Sequence, residues 1–105
     1  MAISATLEAR STTILSNMEA LARNANKGAY KLAKKPASQG DLTPADKLAI
    51  RVFQKQENLA KAKRNSYADR LEEFRINHDE EGFAVTLESA NAECEKMRRV
   101  FKKNH

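Results

Sequence analysis

An apolar stripe that repeats at alternating steps of three and four residues limits most tightly what this chain can fold into. Leu7, Ser11, Ile14, Met18, Leu21, Ala25, Gly28 and Leu32 follow that spacing near the start. Phe83, Leu87, Ala90, Cys94, Met97 and Phe101 follow it near the end. A side chain returns to the same face of an α-helix every ~3.6 residues, so both rows mark amphipathic helices. β-branched residues never gather in an alternating run of strand length, which leaves a sheet little to be built from. With 105 residues, the chain has room for one small domain and one modest core.

Local signals place the boundaries. The first helix is expected over about 4–33, with Ser4 as its N-cap and Leu15, Ala22 and Ala29 widening the stripe so that two neighbours can pack on it. Only small side chains occupy the stripe near Gly28, where a neighbouring helix could come close. Residues 34–43 hold Pro36 and Gly40 among polar side chains and read as a loop. Thr43-Pro44-Ala45-Asp46 opens the second helix, about 44–76: Thr43 caps, Pro44 loses nothing by lacking an N–H at the first position, and Asp46 meets the positive helix end. Its apolar residues lie toward its two ends, and the stretch Gln54–Ser66 either faces water or meets polar groups. The row Tyr67, Leu71, Phe74 does not continue onto Phe83 without a slip, so a turn is expected at 77–82, with Asn77 as the next cap and a third helix over about 83–103. One long bent helix is the alternative. Glu95 and Arg99 are spaced to pair on this last helix.

These elements predict an all-α, antiparallel three-helix bundle, a long helical hairpin plus a third helix returning across it. The core should be thin, because seventeen of the hydrophobic residues are Ala, which favours helix but buries little area. Heptad-like stripes on long helices bury their apolar surface best when another helix fills the groove, so coiled-coil character and a homodimer sharing a core are expected alternatives to a monomer.

Little in the sequence points to catalysis. His78 lies in an acidic turn, His105 is the last residue, and Cys94 falls on the apolar stripe, where a structural thiol is the simpler reading. His78, Asp79, Glu80 and Glu81 are potential metal donors, but their spacing fits helix capping better than a calcium loop. No enzyme activity, cofactor or metal is expected. A single cysteine and the absence of a ~20-residue apolar run fit a protein without a membrane span in a reducing compartment, the cytoplasm.

Two surfaces are candidates for partners. The first is the apolar stripe itself, Leu7, Ile14, Met18, Leu21, Phe83, Leu87, Met97 and Phe101, which would be a contact surface for a protein partner or for self-association, and core in a monomer. The second is a pair of basic rows, Arg23, Lys27, Lys31 and Lys35 with Lys34, and Lys47, Arg51 and Lys55, which flank the same loop. A net charge of +5 permits attraction to polyanions without being a nucleic-acid signature. The leading expectation is a non-enzymatic protein–protein interaction module: an adaptor, chaperone or structural subunit. A nucleic-acid-associated protein contacting phosphates through the basic rows is the second. An exported bacterial helical protein with a Ser/Thr-rich N-terminus is the third.

Overall fold

The computed structural model describes residues 3–34 and 40–103, which form three α-helices: α1 (Ala5–Ala33), α2 (Pro44–Ile76) and α3 (Glu80–Lys103). The chain is all-α, and the helices pack as a three-helix bundle about 62 Å long and less than 20 Å across.

Each helix starts where a side chain can satisfy its first free N–H groups. Ser4 Oγ accepts from the Leu7 N–H at 3.3 Å. Thr43 and Asp46 form a capping box, with the Asp46 N–H donating to Thr43 Oγ1 at 3.1 Å and the Thr43 N–H to Asp46 Oδ2 at 3.0 Å. α3 begins three residues before its apolar row does. Asn77 turns out to close α2, and Asp79 opens α3 by accepting from the Gly82 N–H at 2.9 Å. Between them His78 takes a left-handed conformation, φ 54°, and the Asp79 N–H reaches back to the Phe74 carbonyl at 2.9 Å. This six-residue closure is the usual way for a chain to leave one helix with its last carbonyls satisfied, here with His where Gly is commonest.

α1 and α2 run antiparallel along a ladder of polar rungs. Glu8 pairs with Arg75, Glu19 with Arg64, and Glu57 accepts from Asn26, with the same spacing kept in both helices. α3 returns alongside, parallel to α1, through Arg10–Glu88 at 2.8 Å and, on the α2 side, Lys63–Glu93 at 3.7 Å. The polar middle of α2 therefore meets polar groups on both neighbours. On α3 itself, Glu95 pairs with Arg98, 3.2 Å away, one position short of Arg99.

The core joins Ile14, Met18 and Ala22 of α1, Ala60, Tyr67 and Leu71 of α2, and Phe83, Leu87, Ala90, Cys94, Met97 and Phe101 of α3. Alanines at the seams (Ala60 and Ala90 are fully buried) let backbones approach while the larger side chains fill the centre. Burial of a side chain such as Leu71 or Phe83 stabilises by ~1.5–3 kcal/mol, and α3 supplies half of this cluster. Arg75 ties the three helices together: its guanidinium forks onto Glu8 at 2.7 and 3.0 Å, contacts Glu72, and lies 5.5 Å from the centre of the Phe83 ring. Its pKa is raised, chiefly by the hydrogen bonds to Glu8.

Two glycines receive phenylalanine rings from α2. A Cβ at Gly82 would fall 2.5 Å from the Phe74 ring, and one at Gly28 2.8 Å from the Phe53 ring. The small stretch around Gly28 is thus a seat for Phe53.

Candidate functional site

The apolar stripe is largely spent on the fold. Ile14, Met18, Phe83, Leu87, Met97 and Phe101 are buried within one chain, and Leu7 and Leu21 pack half-buried against them. In the single chain these eight side chains hold helices together and present no continuous outer face, because α3 closes over the groove of the hairpin.

The basic rows have a different fate. α3 ends level with Leu21, Asn24 and Ala25 of α1, which line the same small recess as Arg98, Phe101 and Lys102. Beyond that level the hairpin continues as two helices. None of the core cluster comes from this arm, and α2 has no buried residue before Gln56. On the arm Arg23, Lys27, Lys31, Lys34, Lys47, Arg51 and Lys55 are all exposed, while Lys35 lies outside the described residues. Tyr30 and Leu48 stand among them at 57% and 62% exposure, with the Lys34 ammonium 4.5 Å from the centre of the Tyr30 ring.

Folding the chain concentrates charge far beyond what its linear order shows. The antiparallel return of α2 and the parallel return of α3 put residues 18–65 and 96–103 in one half of the rod. The described residues there carry fifteen Lys/Arg against four Asp/Glu, a net of +11. Residues 3–17 and 66–95 form the other half, with three Lys/Arg against ten Asp/Glu, a net of −7. The basic end of α3, Lys96 to Lys103, joins the arm rows only through this topology.

Between α1 and α2 a shallow open groove runs along the basic half, lined by Arg23, Asn26 and Lys27 on one side and Glu57, Lys61 and Arg64 on the other. Its acids are engaged: Glu19 holds Arg64 at 2.9 Å and Glu57 holds Lys61 at 3.0 Å. The Lys61 contact lowers the Glu57 pKa against the opposing effect of burial. Arg23 and Lys27 have no such partner among the described residues, so the groove keeps a positive rim.

Gln56 is a feature that sequence reasoning missed. It lies two turns along α2 from the Lys63–Glu93 rung, level with the last turn of α3. Only 5% of it is exposed, and neither its amide nitrogen nor its oxygen has a hydrogen-bond partner among the described residues. An amide buried this way costs about 1–3 kcal/mol, so the junction between the three-helix body and the arm is a weak point of the fold.

Conventional reactive chemistry is sparse. Cys94 is 2% exposed and burial, the largest influence, raises its thiol pKa, keeping it protonated. Among the described residues no three His, Cys, Asp or Glu side chains converge as metal ligands. No helix among those residues is long and apolar enough to cross a membrane. In comparisons with known proteins, the chain matches no family model, no curated protein and no solved structure.

Proposed function

We propose that this protein is a non-enzymatic interaction module, of the adaptor, chaperone or structural-subunit kind, that docks an acidic partner protein on its basic half. The observation that carries this reading is the separation of +11 and −7 along a 62 Å rod. Charges are screened over about 8 Å at physiological salt, so an approaching partner senses one half of the rod rather than its net charge. A strongly basic half speeds encounter with acidic surfaces and repels basic ones. Exposed Tyr30 and Leu48 among the lysines add apolar contact area, which an acidic amphipathic helix can use and a phosphate backbone cannot. A single free cysteine, Cys94, accords with a cytoplasmic setting, where thiols stay reduced.

The test is titration with a labelled acidic amphipathic peptide. Binding is expected at low salt, and the variant Lys27→Glu, Lys31→Glu, Lys47→Glu, Arg51→Glu is expected to weaken it by about tenfold or more. All four side chains are exposed, so the variant should keep its helical content. No binding at low salt, or equal binding by the variant, removes the proposal.

The exposed Lys and Arg of the arm also favour a second reading, phosphate contacts to nucleic acid. That reading predicts binding to duplex or single-stranded DNA or RNA that weakens steeply as salt rises. Absence of such binding at low salt eliminates it.

A further inference from the structure

The acidic half of the rod is a surface in its own right, and nothing in the docking of a partner on the basic half uses it. It gathers Asp69, Glu72 and Glu73 at the end of α2 with Asp79, Glu80 and Glu81 at the start of α3, all exposed. Beside them Ile76 and Val85 stand 66% and 62% exposed. The opposite end repeats the arrangement with the sign reversed, Tyr30 and Leu48 among Lys27, Lys31, Lys47 and Arg51. Each copy therefore carries exposed apolar side chains in an acidic field at one end and in a basic field at the other.

We infer that the acidic end of one copy docks on the basic arm of a second copy of this chain, so that the rods associate head to tail. This inference rests on the reading of the basic arm as a docking surface for acidic protein. The contact joins two different surfaces of the same molecule, so it is heterologous. Each copy that binds leaves one free end of either kind, and association grows into a chain instead of stopping at a symmetric dimer. A two-fold dimer opposes unlike fields only if the rods lie side by side and antiparallel, and such a dimer closes at two copies, so a mass that stops at twice the single-chain value overturns head-to-tail growth. Because both fields are exposed to solvent, the association belongs to low ionic strength and dissolves as salt shortens the screening length from about 30 Å at 0.01 M to about 3 Å at 1 M.

The experiment measures mass by sedimentation against protein concentration, using the whole chain and two variants. In one the basic arm is reversed by Lys27→Glu, Lys31→Glu, Lys47→Glu and Arg51→Glu. In the other the acidic end is reversed by Glu73→Lys, Glu80→Lys and Glu81→Lys. Helical content is checked for each, and Glu73→Gln, Glu80→Gln, Glu81→Gln replaces the second set if lysine at the start of α3 unfolds it. At low salt the unaltered protein should rise from 11.8 kDa to at least roughly twice that mass and keep rising with concentration, then return to 11.8 kDa at high salt. Each variant alone should stay at the single-chain mass. Mixed together they should associate again, because each supplies a charged end that the other has reversed. A single-chain mass for the unaltered protein at low salt overturns the inference, as does association of either variant alone or a mixture that remains monomeric. The acidic peptide separates the two failures: peptide binding without self-association sinks this inference alone, whereas loss of both sinks the docking surface too.

Discussion

The two ends of the rod are built on different terms. At the acidic end three helices share a continuous core, and Arg75 fastens the start of α1 to the end of α2 over the Phe83 ring of α3. At the basic end two helices lie side by side, with the Phe53 ring seated on Gly28, buried Ala29 and half-buried Leu32 and Val52 nearby, and nothing there belongs to the core cluster. The same composition, rich in Ala and in charge, thus gives a firm body where a third helix covers the seam and a lightly packed arm where it does not. Stability resides in the body and the proposed recognition in the arm, a division common in proteins whose binding segments come from their less stable parts.

Truncations probe this contrast most strongly. Phe83→Ala should destabilise the fold by about 3–5 kcal/mol, since it empties a fully buried position, whereas Leu48→Ala should change stability by less than ~0.5 kcal/mol. Denaturant unfolding of the two variants reads the difference; comparable losses would mean that the arm carries a core of its own. The junction gives the next effect, with opposite sign. Gln56→Leu keeps the volume and removes two unpartnered polar atoms, so it should raise stability by about 1–2 kcal/mol and lift the melting temperature. A lower melting temperature would show that the amide is satisfied after all.

The smallest expected effects come from the glycines. Replacing Gly by Ala inside a helix favours folding by up to about 1 kcal/mol, but only if the new methyl group finds room. Gly82→Ala drives a methyl into a Phe74 ring packed on the core, and overpacking of that kind costs about 1–3 kcal/mol, so a net loss is expected. Gly28→Ala meets the Phe53 ring in the lightly packed arm, where the ring can shift, so its effect should be near zero or favourable. Thermal melts of the two variants order the packing of the two ends, and a reversed order would overturn the contrast.

Much of the body was legible in the sequence because its signals are local. The step of three and four from Phe83 to Phe101 marks a helix face, and Thr43-Pro44-Ala45-Asp46 marks a start, without reference to the rest of the chain. Asp79 rather than Asn77 became the cap of α3 because Asn77 and His78 were needed to close α2, a competition between two helix ends that residue preferences alone do not decide. Gln56 escaped notice for a related reason. It shares its helix face with Ala60 and Tyr67, and its burial shows only in the folded bundle. Charge was the least legible property: the linear tally shows a mild excess in the first two thirds, and the fold converts it into opposed halves by bringing Lys96–Lys103 beside Lys27–Lys55 and leaving Asp69–Glu95 at the far end.

The most direct measurement of the central claim, that the basic half is where this protein meets acidic partners, is a residue-resolved NMR titration of the Glu73→Gln, Glu80→Gln, Glu81→Gln variant, whose weakened acidic end leaves the arm free, with the acidic amphipathic peptide at low salt. The account predicts amide shifts gathered in residues 23–34, 44–56 and 96–103 that vanish at high salt while residues 66–95 stay still. Shifts centred on residues 66–95, or a uniform response insensitive to salt, would contradict it.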